Sequence, residues 1–439
     1  MSSPHASAVS PARLAAWRAL VRLRGAGGHF DDSVEALPEL QGLDPRDRGL
    51  ANEIIVGTIK RRWSVDAVLG AFTKAPLAET KGPVLEALRI ATFQLLFLDR
   101  VPAYAAVDDA VATARAFGGQ KLAGFSNAVL RKVSTVREPA LPAGLLDRLE
   151  IEHSLPRWIL DELAATLGPA SREDGSLAAR AAAFNQHAPL VARANLLRGT
   201  REALAEELRA AGVEATAVDL DGPGTPAALR LDGIGDPGHN PSFLAGRWTV
   251  QDAGAQLVAQ LARPHAGQRI LDACAGVGGK ATHLAELADD AAHIDAADRS
   301  ATKLDLAAAT AQRLGITSLH RHVCDLTDPK APLARDYDLI VLDAPCTGLG
   351  VLRRHPDAKW RLIPDDVPRL ARVQAELLDA VAARLSPTGA LIYSVCTFTR
   401  AEGPDQARAF AERSGLRLVV EHRTWPPDAD AFYLARFER

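Results

Sequence analysis

Long apolar runs are missing from this sequence. In its 439 residues no stretch approaches the roughly 18 consecutive apolar residues that a membrane-spanning helix needs. The first residues, Met1 to Pro11, are rich in Ser, Ala and Pro but contain no continuous apolar core. This composition argues against a secretory signal peptide and predicts a disordered tail over residues 1–10. We therefore expect a soluble, cytoplasmic protein.

Cysteine is also scarce. The chain has only four, all in its last two-fifths: Cys274, Cys324, Cys346 and Cys396. So few cysteines in a large chain without a secretion signal do not suggest a disulfide framework, so reduced thiols are expected. The cysteines at strand ends lack a second ligand at metal-finger spacing, and no metal site is predicted.

Neither sign of charge is in excess, since 51 basic residues face 54 acidic ones and the net charge is −3. Overall charge therefore gives no reason to expect nucleic acid, and any RNA contact must come from local basic patches. The candidate patches are Lys60-Arg61-Arg62, Arg131-Lys132, and Arg353-Arg354-His355 with Lys359 and Arg361. Taken alone, each patch is more typical of a solvated surface than of a binding site.

The composition that is present, 47% apolar and 24% charged residues, is that of a folded protein, and the length allows two to four domains. Residues 11–140 form the first predicted domain, which is all-helical. Apolar residues recur there at helical spacing, as at Leu85, Leu88 and Thr92 and again at Phe125 and Val129. Residues 150–245, which mix a helix at 158–167, an apolar run at 190–197 and an amphipathic helix at 201–211, predict a small α/β subdomain.

Residues 246–439 form the third predicted domain, in which short apolar runs alternate with helical stretches. This alternation predicts a parallel sheet with helices on both faces. A final run, Phe432–Phe437, has no following helix and predicts an antiparallel strand. The other predicted strands are Arg269–Ala273, His293–Ala297, Leu319–Cys324, Tyr337–Leu342 and Ala390–Val395.

A glycine-rich segment follows the first strand of this domain and reads Asp272-Ala-Cys-Ala-Gly276-Val-Gly278-Gly279-Lys280. Glycines let backbone N–H groups approach a ligand and turn the chain onto a helix N-terminus. Asp298, twenty residues beyond Gly278, ends the second strand, where a carboxylate can accept both hydroxyls of a ribose. The pair predicts an adenosine-type ligand. A nicotinamide dinucleotide is disfavoured because the loop lacks the Gly-x-Gly-x-x-Gly order.

Two acidic residues allow a second interpretation. Asp298 could instead cap the helix that starts near Ala301. Asp325, at the end of the third strand, could hydrogen-bond a base amine or cap a helix, and the sequence does not decide between these roles.

Two cysteines follow neighbouring strands. The fourth strand ends Asp343-Ala-Pro345-Cys346 and the fifth ends Tyr393-Ser-Val-Cys396, so both thiols are expected at the edge of the sheet that carries the glycine loop. A lone cysteine is usually a buried, inert residue. Two at adjacent strand ends, with an aspartate beside one of them, instead suggest nucleophilic chemistry.

Methylation at carbon 5 of cytosine is a reaction that suits this arrangement. Carbon 5 is a poor nucleophile, but a thiolate that adds to carbon 6 converts the ring into an enamine. A carboxyl group such as that of Asp343 can assist by protonating ring N3. One thiol can add while the other serves when the adduct is eliminated.

Four motifs together resemble the RNA 5-methylcytosine methyltransferases of the NOL/NOP/Sun family: Asp272-x-Cys-x-Gly-x-Gly-Gly-Lys280, Asp343-Ala-Pro-Cys346, Arg353-Arg-His-Pro-Asp-x-Lys359-Trp360 and Tyr393-Ser-x-Cys396. The segment Gly124-Phe-Ser-Asn127-Ala-Val-Leu-Arg131 resembles the NusB-like domain of the family's bacterial members. The resemblance implies an all-α NusB-like N-terminal domain, a small α/β subdomain of RRM-like type, and a Rossmann-like class I methyltransferase domain. It also implies S-adenosyl-L-methionine as methyl donor and 16S ribosomal RNA as substrate, and we expect a monomer.

The resemblance assigns roles that spacing alone leaves open. Cys396 matches the nucleophile, Cys346 the residue that assists release, Asp343 the residue that contacts the base, and Lys280 a residue near the catalytic centre. Asp298 matches the ribose ligand and Asp325 the adenine-side ligand. The rest of the implied donor site is Asp272, Cys274, Ala275, Gly276, Gly278, Gly279, Lys280, Lys303, Asp343 and Pro345. The implied RNA contacts are Arg353, Arg354, His355, Lys359, Arg193 and Arg131.

Two positions depart from the family pattern. Val277 stands where the family has proline in its Ala-Pro-Gly-Gly-Lys loop, and Ala431 stands where it tends to have the glycine of Asp-Gly-Phe. These changes bear on donor affinity. The alternatives are a non-catalytic RNA-binding assembly factor, which would not need both cysteines and Asp343, and a DNA methyltransferase, in which Cys346 would be the nucleophile.

Overall fold

The computed structural model describes residues 9–25 and 37–439, which form two compact units. The predicted tail over residues 1–10 lies almost entirely outside the described residues. The first unit runs to Asn185 and also contains the later segment His355–Leu362, and the second holds the rest of the chain. Within the described ranges, no helix combines the length and apolarity that crossing a bilayer requires.

The helices are α1 Pro11–Gly25, α2 Pro45–Lys60, α3 Arg62–Gly70, α4 Gly82–Phe97, α5 Ala103–Val133, α6 Leu145–His153, α7 Arg157–Leu167, α8 Ser176–Ala183, α9 Arg201–Ala210, α10 Pro241–Leu244, α11 Ala253–Ala262, α12 Gly279–Leu287, α13 Ala301–Leu314, α14 Ala358–Arg361, α15 Asp366–Ala382 and α16 Pro404–Ser414. The strands are β1 Leu190–Ala194, β2 Glu214–Ala217, β3 Ala228–Asp232, β4 Trp248–Val250, β5 Arg269–Ala273, β6 His293–Asp298, β7 Leu319–Val323, β8 Tyr337–Asp343, β9 Leu385–Val395, β10 Arg417–Arg423 and β11 Tyr433–Glu438.

Helix α4 is central to the core of the first unit. Its residues Leu85 and Leu88 are buried at the predicted helical spacing, and Phe93 is buried against α2. A β-carbon at Gly57 of α2 would lie 1.9 Å from the Phe93 ring, so only glycine allows the two helices to approach so closely. Trp17 donates from Nε1 to the carbonyl of Pro83 over 2.7 Å. The all-helical prediction for this region is confirmed, and the apolar residues act as core.

A four-stranded antiparallel sheet of order β2-β3-β1-β4 begins the second unit. Helix α9 packs on it through an apolar cluster that includes Leu204, Leu208 and Trp248. The sequence predicts that the helix at 158–167 belongs to this subdomain, yet α7 lies in the first unit, where it packs with α6 and α8. Strand β4, in turn, lies beyond residue 245 but completes this small sheet.

A seven-stranded sheet of order β10-β11-β9-β8-β5-β6-β7 forms the rest of the second unit. From β9 to β7 neighbouring strands are parallel, and β11 is antiparallel to β9 and β10. Two apolar clusters lie against the sheet, one including residues of α11 and α12 and the other residues of α15 and α16. The prediction of an α/β sheet covered by helices on both faces is therefore confirmed, including its final antiparallel strand.

Candidate active site

The glycine loop connects the carboxyl end of β5 to the first turn of α12. Cys274, Gly276 and Gly278 have φ values of 62°, 55° and 81°, which turn the chain sharply onto the helix N-terminus. A β-carbon at Gly278 would lie 2.6 Å from the β-carbon of Ala307 in α13. Glycine is thus required at this position by both backbone conformation and space. Val277, the residue in place of the family's proline, has 53% of its surface exposed.

Asp298, at the end of β6, contacts this loop directly. Its Oδ2 accepts from the N–H of Gly276 over 2.9 Å, and its Oδ1 accepts from the N–H of Ser300 over 2.8 Å. The side chain that caps α13 is that of Ser300, which accepts from the N–H of Lys303. The carboxylate of Asp298 is therefore placed beside the glycine loop and is not the N-cap of α13.

The two other residues predicted on this side of the donor site lie at the surface. Lys303 is exposed in the first turn of α13. Asp325 accepts from the N–H and hydroxyl of Thr327 and from Arg299. The Thr327 hydroxyl contributes most to holding the pKa of Asp325 below its usual range. In this structure Asp325 shapes a turn, and its predicted contact with a base amine stays a prediction.

Asp272 is fully buried at the end of β5, and neither carboxyl oxygen has a hydrogen-bond partner of ordinary geometry. Burial raises its pKa to about 7, with Lys280 opposing the shift and Asp343 adding to it. An unpaired buried carboxyl group is costly for the fold, so a residue of this kind marks a functional site. The group lies where the sequence predicts part of the donor site.

Lys280, Asp343 and Ser394 form a chain of contacts across three elements. Lys280 Nζ donates to Asp343 Oδ2 over 2.5 Å, and Ser394 Oγ donates to Asp343 Oδ1 over 2.7 Å. Burial lowers the pKa of Lys280, but the charge and hydrogen bond of Asp343 outweigh it, and the net shift is upward. The lysine is thus held as an ammonium group that fixes the orientation of the Asp343 carboxylate.

The two thiols that follow β8 and β9 lie together. Asp343 and Ser394 are register partners in these parallel strands, and Cys346 and Cys396 follow them at the same edge, with their Sγ atoms 3.4 Å apart. The contact with Cys396 is the largest influence that raises the pKa of the Cys346 thiol, followed by burial. The predicted convergence of the two cysteines beside Asp343 and the glycine loop is what the structure contains.

The remaining cysteines have less reactive surroundings. Burial, with the Asp298 charge next, raises the pKa of Cys274 to about 12, and burial also raises the pKa of Cys324. Because the thiolate is the nucleophilic form, both shifts reduce reactivity at neutral pH. In the described part of the chain, no hydrogen bond links the thiol of Cys274 or Cys324 to the Cys346–Cys396 pair.

Three side chains expected to contact RNA are instead buried. Arg193 has no exposed surface and Arg353 and Lys359 have 2% each. Arg353 donates to Asp430 over 2.9 and 3.1 Å, and Lys359 Nζ donates to the carbonyl of Lys60 over 2.8 Å inside the first unit. Because they are buried, these three side chains do not face RNA in this structure. Their partners lie 58 to 299 residues away and are not visible in the local sequence pattern.

The other predicted RNA contacts differ in exposure. Arg354 is partly buried between Asp430 and Asp252, to which it donates over 2.6 and 2.9 Å. His355 and Arg131 are exposed, and they remain predicted RNA contacts.

Sequence reasoning missed two residues that hold this site together. A β-carbon at Gly350 would lie 1.9 Å from the carbonyl oxygen of Ala431 and 2.8 Å from that of Cys396. Its N–H donates to the Cys396 carbonyl and its own carbonyl accepts from Ala431, both over 3.0 Å. Glu402 is fully buried behind the cysteines. Neither belongs to a motif with a recognisable spacing, so a single sequence gives no signal for them.

The order of the seven-stranded sheet, with the glycine loop and Asp298 at the carboxyl ends of adjacent strands, defines a Rossmann-like methyltransferase. Family models agree along the chain: "NusB family" matches residues 10–135, "Methyltr_RsmF/B-like, ferredoxin-like domain" matches 155–236, and "16S rRNA methyltransferase RsmB/F" matches 259–438.

Curated relatives match nearly the full length. A probable ribosomal RNA small subunit methyltransferase B of Synechocystis sp. is 35% identical, over 90% of this chain and 86% of the relative. The ribosomal RNA small subunit methyltransferase B of Pseudomonas putida is 34% identical, over 92% and 89%. The chain belongs to this family, the ribosomal RNA small subunit methyltransferase B enzymes.

Solved structures share the fold. The structure titled "Crystal Structure of PH0851" superposes with a TM-score of 0.79 at 22% identity and covers 99% of this chain and 100% of its own. That of NSun6 from Pyrococcus horikoshii with SFG gives a TM-score of 0.52 at 19% identity, over 68% of this chain and 98% of its own. The three-part fold predicted from the sequence is confirmed.

Proposed function

We propose that this methyltransferase transfers a methyl group from S-adenosylmethionine to carbon 5 of a cytosine in 16S ribosomal RNA, through a covalent bond between Cys396 and carbon 6. The observation that carries the proposal is the 3.4 Å approach of the Cys346 and Cys396 thiols beside Asp343. A protein that only bound RNA would not need two converging thiols at the carboxyl edge of its sheet.

The residues of the glycine loop fit an adenosyl donor. The close approach at Gly278, the carboxylate of Asp298 and the start of α12 provide the cradle, acceptor and N–H groups that such a molecule needs. Asp272, buried and without a hydrogen bond of ordinary geometry, lies at the inner end of the same loop. When bound, S-adenosylmethionine supplies an electrophilic methyl group.

The chain's own groups account for the rest of the reaction. The Cys396 thiolate forms a bond to carbon 6, and the electron pair of the ring double bond becomes available at carbon 5. Asp343, oriented by Lys280 and Ser394, is placed to hold a proton at ring N3 through a hydrogen bond. After methylation carbon 5 gives its proton to water, the double bond between carbons 5 and 6 re-forms, and the bond between sulfur and carbon 6 breaks with its electron pair returning to the Cys396 sulfur. Cys346 assists this release.

We further propose that the target cytosine leaves its stack to reach the thiols, since carbon 6 is inaccessible inside a helix. Arg131 and His355, both exposed, are the proposed RNA contacts that remain from the basic patches. Action on ribosomal RNA implies that the enzyme works in the cytoplasm.

Bisulfite sequencing tests the product. We expect one cytosine of 16S ribosomal RNA to be protected in cells that contain the protein and converted in cells that lack it. Re-expression of the wild-type chain should restore protection, and Cys396→Ala should not. Protection that persists without the protein would refute the proposed reaction.

The cysteine roles are tested separately with purified protein and RNA. Cys396→Ala should abolish methyl transfer while donor affinity stays near that of the wild type. Cys346→Ala should retain the adduct, visible as a retarded protein–RNA band on a denaturing gel. Cys324→Ala, which removes a thiol at the end of β7, serves as the control and should turn over normally. If Cys346→Ala abolishes transfer without an adduct while Cys396→Ala does not, Cys346 is the nucleophile, as in the DNA-type alternative.

A further inference from the structure

A buried glutamate lies directly behind the two thiols. Glu402 sits between β9 and α16, six residues after Cys396, and has no exposed surface. Its Oε1 accepts from the N–H of Thr347 over 2.8 Å and from Gln374 Nε2 over 3.1 Å. Its Oε2 accepts from the hydroxyls of Thr347 and Thr399 over 2.6 and 2.9 Å. Four donors therefore converge on one carboxyl group, which has room for about four.

The hydrogen-bond network around Glu402 reaches the residue that follows each cysteine. Thr347 follows Cys346, and Thr397 follows Cys396, and the two threonine hydroxyls are 2.9 Å apart. The network thus ties the residue after one thiol to the residue after the other, with Glu402 bound to Thr347 by both backbone and side chain. A buried network in which every acceptor is used has little freedom to rearrange.

The two cysteine loops depend on this glutamate to different degrees. The loop of Cys396 has supports besides Glu402. The Cys396 carbonyl accepts from the N–H of Gly350, and the residues just before Cys396 are paired with β8 and β11. On the other side, the last sheet bond before Cys346 is that of the Ala344 N–H to the Ser394 carbonyl, over 3.0 Å. Beyond it, the loop of Cys346 is held by Glu402 at Thr347 and by Gln374 at the Pro345 carbonyl. Loss of Glu402 should therefore release Cys346 more than Cys396.

We propose that Glu402 is a positioning residue that holds Cys346 at contact distance from Cys396 and so sets the rate at which the covalent adduct is released. The catalytic part of this inference rests on the proposed cysteine mechanism. The geometric part does not, because it concerns only the distance between the two thiols.

The geometric part is tested without RNA, in the full-length protein at a temperature where each variant is folded. Diamide takes two electrons and two protons from a pair of thiols, a bond forms between the sulfurs, and diamide is reduced to its hydrazine. We expect the Cys346–Cys396 disulfide to form rapidly in the wild type. Peptide mass spectrometry measures the rate at which it forms. Glu402→Ala should slow closure at least tenfold. Closure at the wild-type rate in this variant, or no closure in the wild type, would overturn the proposal.

Two further variants separate positioning from loss of folding. Glu402→Gln can keep the arrangement, since its oxygen can accept both N–H groups while its amide donates to the two hydroxyls, and it should restore most of the closure rate. Thr347→Val is nearly isosteric but removes one hydroxyl from the network, and it should slow closure even if Glu402→Ala does not fold. Equal closure rates for Thr347→Val and the wild type would contradict the role of the network.

The catalytic part is tested by measuring how much covalent protein–RNA adduct accumulates. With RNA and donor, Glu402→Ala should accumulate the protein–RNA band that Cys346→Ala accumulates, with kcat and KM for RNA lowered together and kcat/KM near that of the wild type. A merely destabilised protein would lose all steps in proportion and show no excess of adduct. If Cys346→Ala itself shows no adduct, the proposed cysteine mechanism fails, while the diamide experiment still decides whether Glu402 positions the thiols.

Discussion

Replacement of Arg193 by methionine should destabilise the second unit by about 3–5 kcal/mol, because it leaves a buried charge without its partner. Arg193 Nε and Nη2 donate to Glu286 over 2.9 and 2.7 Å, and both side chains are almost completely enclosed. The other guanidinium N–H groups donate to Gln251, Thr282 and the carbonyl of Gly279 over 2.6, 3.0 and 2.7 Å. All of these acceptors lose a donor at once.

The state of Glu286 supports this magnitude. Burial raises the pKa of Glu286, and Arg193 opposes that rise. Without the arginine, Glu286 must either remain charged in an apolar environment or take up a proton, and both alternatives cost free energy.

Differential scanning calorimetry measures the effect. For a unit of this size each kcal/mol corresponds to about 2–4 °C, so the transition of the Arg193→Met protein should fall by about 6–20 °C. The double variant Arg193→Met/Glu286→Leu should regain much of this loss, since an apolar pair of similar volume can replace a buried ion pair. A single variant with wild-type stability but weaker RNA binding would refute this assignment and return Arg193 to the RNA surface.

Three other outcomes follow from the site and the surface. Burial raises the pKa of Asp272 to about 7, so ionising this group in the folded protein costs free energy. The cost is absent below about pH 4, grows as the pH rises to 7 and stays at about 4 kcal/mol above it. Asp272→Asn should therefore raise the melting temperature more at pH 8 than at pH 4. Gly278→Ala should lower affinity for S-adenosylmethionine more than tenfold by titration calorimetry, because of the contact with Ala307, whereas Gly267→Ala, with the same φ of 81° and open space around it, should not. Arg131→Glu should weaken binding of 16S ribosomal RNA and reduce the slope of its salt dependence by about one, and an unchanged slope would remove Arg131 from the interface.

The spacing of apolar residues predicted the helices and strands that bury an apolar face in the core. The predicted strand 269–273 and helix 301–314 coincide with β5 and α13, because their apolar residues alternate or recur in the pattern of their structure. Strand β10 was not predicted. Its residues Arg417, Glu421 and Arg423 are charged and it lies half-exposed at the edge of the sheet, so it lacks the apolar alternation that identifies a strand.

The candidate site was predictable where it depends on strand ends. Cys346 and Cys396 follow neighbouring strands, and the topology of a parallel sheet alone brings such residues together. Basic residues were less predictable, because Arg353 looks the same in sequence whether it meets a phosphate or Asp430. The difference depends on a contact between residues 77 positions apart, which only the folded chain reveals.

All groups proposed for the chemistry lie at or follow the carboxyl ends of β5, β8 and β9. None of them lies at the amino ends of these strands. There, Gly267 and Thr388 line a surface hollow at the amino ends of the same strands. A reporter domain or affinity handle grafted into the turn at Gly267 would be separated from both thiols by the length of a strand. That turn is accordingly the place to attach a label for following the enzyme on its RNA while its chemistry proceeds undisturbed.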